Sequence, residues 1–291
     1  MPSKQLISPL PYVPDSAAIF SAIANQPWAV FLDSGYPHSE QGRYDIIAAE
    51  PVTTLVTHGE ITQINQNGLL INSSDDPFDL VKQELLASAY EGDADLPFNG
   101  GAIGYFSYDL ARRLEKLPVI ADDAEHIPEM AVGIYNWAVV VDHQQRQSFL
   151  VGQDCAEDHW QSLIDLFSVL PTEGQTSHFR VTSEIKSNMD KAFYTRAFDK
   201  IKHYLKEGDC YQVNLSQRFV ADCVGDPWAA YRLLREMNAA PFSAYLNFPD
   251  AQILSSSPER FLKLENGYVE TKPIKGTRPR RAYPASDWHQ I

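Results

Sequence analysis

The sequence predicts an α+β fold, and three observations lead there. β-rich runs follow one another through short turn signals, above all Asn67-Gly68 and Asn266-Gly267, the dipeptides that suit two-residue hairpins. Helical patterns are interspersed singly among those runs instead of alternating with every strand, which argues against regular β-α-β units. The chain of 291 residues is 44% hydrophobic and 21% charged, enough to bury one large core or two ordinary ones.

Taken in order, Asp15 caps a short helix over 16–24, and 28–33 (Trp-Ala-Val-Phe-Leu-Asp) is a strand entering a core. Strands at 44–49, 53–58, 60–66 and 69–72, with turns at Gly59 and Asn67-Gly68, form an antiparallel meander. Asp76-Pro77 supplies an N-cap and a proline at the first helical position. Phe78, Val81, Leu85 and Leu86 then share one face, which should cover a sheet. The runs 100–108 and 130–141 read as long strands in the sheet interior, the second turning through Asp142-His143-Gln144 into 147–151. Trp160, Leu163, Ile164 and Phe167 mark a helix that stops at Leu170-Pro171.

The polar stretch after Pro171 is the candidate linker, so the chain divides into residues 1–170, a linker at 171–186, and residues 187–291. Beyond it, a helix opens at Ser187 or Asn188 and reaches Glu207, with Phe193, Ala197, Ile201 and Leu205 on one face and Gly208 ending it. A strand at 211–220 and a helix after Asp226-Pro227 follow. Strands at 241–248, 252–256, 261–264 and 268–272 complete the pattern. A two-residue turn at Asn266-Gly267 places Glu259 opposite Ile274 and Lys275 opposite Pro258.

Several functional classes are disfavoured. A formal net charge of -14 argues against a phosphate-backbone footprint, hence against nucleic-acid binding. No apolar run approaches a membrane span, and the N-terminus shows no charged segment leading into an apolar one. Cys155, Cys210 and Cys223 are odd in number and lack zinc-ligand spacing, which reads as reduced thiols and a cytoplasmic protein. The eight histidines show neither metal spacing nor the neighbours of a catalytic triad. Gly100, Gly101 and Gly104 lack the lysine and hydroxyl residue of a phosphate loop.

Chemistry concentrates near residue 275. Lys275 sits between Pro273, which fixes φ, and Gly276, which lets backbone approach a ligand. A lysine is a nucleophile only when neutral, which at a reference pKa of about 10.4 requires burial or a nearby cation. Glu259 follows Pro258 at the end of an apolar strand, where burial would raise its pKa and keep it protonated as a general acid. The same two patterns also fit a surface lysine in a turn and a strand-end glutamate.

Three segments taken together decide between these readings. Residues 208–219 (GDCYQVNLSQRF), 255–261 (SSSPERF) and 271–280 (TKPIKGTRPR) resemble the chorismate-utilising enzymes, and 100–109 (GGAIGYFSYD) agrees. The likeness runs through nearly the whole chain. Members that make anthranilate carry alanine where this chain has Lys275, whereas the aminating branch carries lysine. The resemblance therefore implies amination of chorismate at C4 to 4-amino-4-deoxychorismate, within p-aminobenzoate and folate biosynthesis. It implies two packed, mainly antiparallel sheets with helices outside, incomplete at the C-terminus. Lys275 would be the nucleophile at C2 of the ring and Glu259 the general acid and base.

Further expectations come from the same resemblance. Ammonia would come from a glutaminase subunit. Ser34, Arg43, Tyr44, Pro241, Phe242 and Ser243 match positions that hold tryptophan, with hydroxyl and backbone groups for its polar end and apolar walls for indole. Magnesium is the expected cofactor, but its acidic ligands and the Gly-rich loop for substrate carboxylates lie beyond residue 291 in the family. A fragment inactive by itself is the corresponding expectation. The alternatives are an anthranilate-forming component, or a non-catalytic module that binds tryptophan or the glutaminase subunit.

Overall fold

The computed structural model describes residues 5–39, 42–87, 96–120, 122–169 and 178–275. Two compact units emerge, one from residues 1–174 with 231–291 and one from 175–230.

The larger unit opens with β1 (Gln5–Leu10), α1 (Ala17–Phe20), β2 (Ala29–Asp33) and β3 (Tyr44–Ala48). β4 (Thr53–His58), β5 (Ile61–Gln66), β6 (Leu69–Ser73) and α2 (Pro77–Ala87) come next. β7 (Gly101–Phe106) leads into a 3-10 helix (Tyr108–Arg113), then β8 (Met130–Tyr135), β9 (Trp137–Asp142), β10 (Gln147–Gln153) and α3 (Glu157–Ser168). β4 to β6 form the expected meander, and both residues of the Asn67-Gly68 turn have positive φ, which is why Asn-Gly suits it.

The run 130–141 is not one strand. β8 lies inside a five-stranded sheet ordered β6-β5-β4-β8-β7, and β9 lies inside a second sheet; the chain changes sheets at Asn136. The lack of alternation is thereby explained, because β8 is buried on both faces. Ala131 and Tyr135 face the other sheet, beside Val30, Ala138, Val140 and Leu246. Met130, Val132 and Ile134 face the opposite way, under Leu80 and Val81 of α2 and Leu110 of the 3-10 helix. Each large side chain buried in such a sandwich contributes about 1.5–3 kcal/mol. Two further expectations change. β7 is an edge strand, and α2 buries Leu80 and Val81 while Phe78, Leu85 and Leu86 stay exposed, Phe78 stacking on Phe106.

The smaller unit holds β11 (Phe179–Val181), β12 (Lys186–Ser187), α4 (Lys191–Glu207), β13 (Phe219–Val220), β14 (Cys223–Gly225) and the start of α5 (Pro227–Met237). Asp190, not Ser187 or Asn188, caps α4 by accepting from Phe193 N, and Gly208 ends the helix in the left-handed region. No residue of α4 is buried, so its apolar face lacks the packing role its periodicity suggested. The strand expected at 211–220 shrinks to β13, since only Phe219 and Val220 find a partner in β12.

Returning to the larger unit, β15 (Phe242–Asn247) and β16 (Gln252–Ser257) complete a seven-stranded sheet ordered β1-β10-β9-β3-β2-β15-β16. β15 pairs antiparallel with β2, so residues about two hundred apart in sequence become neighbours beside the site. The sheet's outer face is covered by Phe20, which stacks on Phe31 at 5.3 Å, and by Tyr231 of α5 against Tyr245 at 5.6 Å. Trp137 meets Phe167 of α3 on the same sheet. β17 (Arg260–Glu265) and β18 (Tyr268–Lys272) form a separate two-stranded ribbon.

Candidate active site

The ribbon is a hairpin whose Asn266 and Gly267 have φ of 50° and 80°, as a two-residue turn of this type requires. Glu265, Leu264 and Lys263 face Tyr268, Val269 and Glu270 as expected, but Arg260 then faces Lys272. One extra residue in β17 therefore makes a bulge between Arg260 and Lys263. At the root of the hairpin, Glu259 Oε1 accepts from Ile274 N at 2.6 Å and from Lys275 Nζ at 3.1 Å. Ser257 Oγ donates to the Glu259 carbonyl at 3.1 Å, tying this residue to the end of β16. The two proposed catalytic groups meet directly.

Their environment differs from the sequence expectation in one respect. The Glu259 carboxyl is held below the usual carboxylate range, first by the Ile274 N–H and then by the hydrogen bond from Lys275. It is not raised, because the burial expected there is missing: the side chains of Lys275 and Glu259 are 74% and 38% exposed. As it stands, the pair is an ion pair open to solvent. Residues 276–280 of the motif lie outside the described residues.

Ser34, Arg43, Tyr44, Pro241, Phe242 and Ser243 are brought together around a cavity of about 530 Å³. An adjoining cavity of about 480 Å³ shares five of them and extends to Pro273 and Ile274, next to Lys275. The pairing of β2 with β15 does this, by setting Ser243 opposite Asp33. The walls are flat and cationic: the Arg43 guanidinium lies 4.4 Å from the Tyr44 ring centre, and Arg260 lies 4.7 Å from that of Phe242. Ser243 Oγ is committed to the Ala240 carbonyl at 2.9 Å. Ser34 Oγ is buried without a hydrogen-bond partner among the described residues.

A buried polar network holds this wall from behind. Asp45 on β3 accepts from Ser34 N at 2.7 Å, from His143 Nε2 at 2.8 Å and from Ser16 Oγ. Asp33 accepts from Arg235 Nε at 2.6 Å and Tyr231 hydroxyl at 2.9 Å, while Arg235 also reaches Asp15 and the Tyr36 carbonyl. Sequence reasoning missed these residues, and it missed Arg260, Lys263 and Lys272 on the cleft side of the hairpin. Alternating charges along β17 hinted at a polar face, but the bulge that turns Arg260 onto it leaves no mark in the sequence.

Among the described residues, no three His, Cys, Asp or Glu side chains cluster as a metal site. The donors seen here do not fit magnesium.

The family described as chorismate binding enzyme matches residues 29–290. The chain belongs to that family. Aminodeoxychorismate synthase component 1 of Klebsiella aerogenes is 44% identical, over 99% of this chain and 63% of that one. The Escherichia coli K12 protein of the same name is 42% identical, over 93% and 59%. Anthranilate synthase component 1 of Acetivibrio thermocellus is 31% identical, over 90% and 57%. The crystal structure of anthranilate synthase component I from Streptococcus pneumoniae superposes with a TM-score of 0.67 at 26% identity, covering 79% of this chain and 54% of that one. The expected α+β architecture of the chorismate binding enzymes is thus the one found. The chain spans about three fifths of the length of the curated relatives it matches.

Proposed function

We propose that this chain carries the covalent half of a C4 amination of chorismate. The contact between Lys275 Nζ and Glu259 at 3.1 Å is the observation that supports it most directly. Replacing the C4 hydroxyl by an amine needs a proton for a poor leaving group and a nucleophile to relay the substitution. Lys275 attacks C2 as the hydroxyl leaves C4; ammonia then adds at C4 and expels the lysine from C2. Two allylic displacements replace one hard substitution. Glu259 lies within hydrogen-bond reach of the amine, can take up the proton that frees it to attack, and can hand that proton to the departing C4 hydroxyl, which leaves as water. Lysine at position 275, where anthranilate-forming members carry alanine, favours this product over anthranilate.

The relatives' naming as component 1 supports a partner component, and a glutaminase that delivers ammonia is the partner this chemistry calls for. The cleft is read as a tryptophan site, its cationic and hydroxyl groups serving the amino-acid end and Tyr44 and Phe242 the indole. Magnesium receives no described residue and no step. With the pair open to water, turnover by the chain alone is expected to be undetectable.

The test is intact-mass spectrometry after incubating chorismate with this chain joined to the C-terminal part that its relatives carry. A Lys275 adduct weighing chorismate less one water, absent from Lys275→Ala, supports the reading, and ammonia should then release 4-amino-4-deoxychorismate. Anthranilate as product would favour the rival synthase. An adduct on another residue would remove Lys275 from its role.

A further inference from the structure

Burial fades along the inner face of the seven-stranded sheet. Ala138, Val140 and Val151 are fully buried against the other sheet. Directly opposed residues share a face and successive ones alternate, so the strand registers carry the same face on to Ile7, Phe149, Gln147, Asp142 and Tyr44. There Phe149 and Tyr44 are only half-buried, and Ile7 and Gln147 are exposed. A cavity of about 470 Å³ lies at this end of the face, lined by these five residues with Leu96, Gln145 and Arg43. Arg43, Tyr44 and Leu96 also border the cleft described above, whereas Ile7, Phe149, Gln145 and Gln147 belong to this cavity and not to that cleft.

The polar groups narrow what this cavity can hold. Asp142 Oδ2 accepts from Arg43 Nε at 3.2 Å and Nη2 at 3.0 Å, and its Oδ1 accepts from Gln144 N and Gln145 N, both at 2.9 Å. Both carboxylate oxygens are thus committed, and Arg43 and Asp142 neutralise each other, so a charged ligand meets no free countercharge. The side chains of Gln145 and Gln147 make no hydrogen bond among the described residues. Each carboxamide sets a donor beside an acceptor. We propose that this cavity is a second ligand site, which takes a neutral, planar heteroaromatic ring carrying a lactam edge. Phe149 and Tyr44 offer aromatic surface to the ring, with Ile7 and Leu96 as apolar walls. Gln147, held on β10, pairs with the edge: its oxygen accepts the lactam N–H and its amide donates to the lactam carbonyl. Neither group changes its protonation on binding.

The experiment is calorimetry with saturation-transfer NMR, using quinazolin-4-one, a neutral bicyclic lactam, as the probe. It should bind the unaltered chain, and its 3-methyl derivative, which lacks the lactam N–H, should bind about tenfold more weakly, the worth of a hydrogen bond lost at one edge. Gln147→Leu keeps the bulk of an exposed side chain without its amide and should weaken quinazolin-4-one about tenfold. Gln147→Glu removes only the amide donor, should weaken it likewise, and decides the matter if Gln147→Leu folds poorly. Ser34→Ala, in the neighbouring cleft, should leave this binding unchanged. Absence of binding to the unaltered chain overturns the site. Equal binding of the 3-methyl derivative overturns the lactam pairing. Binding weakened by Ser34→Ala but by neither Gln147 variant puts the ring in the neighbouring cleft and overturns the proposal.

Discussion

Removing the Asp45 carboxylate tests how the cleft wall is held. Its side chain is fully buried and accepts from three donors: Ser34 N, His143 Nε2 and Ser16 Oγ. Asp45→Ala strands all three, at about 1–3 kcal/mol for each buried donor left unpaired, and a buried charged network typically loses about 3–5 kcal/mol with one partner. A loss of about 4 kcal/mol is expected. Asp45→Asn keeps an oxygen for Ser34 N, and its amide can donate to His143 once the imidazole proton moves to Nδ1, which faces the Tyr12 hydroxyl at 3.2 Å. Only charge assistance is then lost, about 1–2 kcal/mol. At about 2 °C per kcal/mol for a chain of this size, melting should fall by about 8 °C and about 3 °C respectively.

The same residue sets a pH dependence. Burial pushes the Asp45 carboxyl up, but the hydrogen bond and charge of His143, helped by Ser16 and the Ser34 N–H, bring it below the ordinary value. Its contribution is therefore complete above about pH 4, the unfolded carboxylate pKa, and is lost as pH falls through the lower folded value. Asp45→Asn should flatten that acid limb. Urea unfolding followed by circular dichroism measures both effects. Alanine within about 1 kcal/mol of the parent, or asparagine as damaging as alanine, would refute the reasoning.

Three further outcomes are expected. Ser34→Ala removes a buried hydroxyl that has no partner among the described residues, so stability should hold while tryptophan affinity falls about three- to tenfold, the worth of one hydrogen bond; unchanged calorimetry would argue against a ligand contact there. At Gly42 an added Cβ would lie 2.4 Å from Ser34 Oγ and 2.6 Å from the Ser34 carbonyl, so Gly42→Ala should displace that wall and abolish binding at a cost of about 1–3 kcal/mol in stability. Lys275→Ala should raise the Glu259 titration midpoint only part of the way to normal, because the Ile274 N–H remains. Carboxyl-carbon NMR reads this directly, and full normalisation would contradict the ranking of the two donors.

How legible the molecule was depends on the distance over which each feature is specified. Hairpin turns, the Asp76-Pro77 start of α2 and the β4–β6 meander are local, and turn chemistry plus period-two patterning find them. The break at Asn136 is not local. A strand buried on both faces reads the same whether it continues in one sheet or crosses to another, so 130–141 looked single. The same blindness hid the Asp45 network, because an aspartate in a strand pattern gives no sign that His143 and Ser16 converge on it. Glu259 and Lys275 were identified through the family motif, yet the environment of Glu259 was misjudged. The apolar strand before it indicated burial that the chain does not supply.

The hairpin shows where local rules stop and gives one more test. A regular ladder from the Asn266-Gly267 turn would set Arg260 opposite Pro273. In antiparallel pairs directly opposed residues share a face, and successive residues alternate, so Arg260 would then point away from Lys263, Glu270 and Lys272. The extra residue in β17 sets Arg260 opposite Lys272 instead, on the face that lines the cleft. Deleting Leu262 should remove the bulge while keeping that pairing, with Phe261 taking the place opposite Thr271. The register at the root of the hairpin, and with it the contact of Glu259 with Lys275, is then unchanged. The Glu259 carboxyl should accordingly still titrate below the usual range after this deletion. Loss of the depressed titration without Leu262 would show that the bulge itself, and not strand register, holds the pair together.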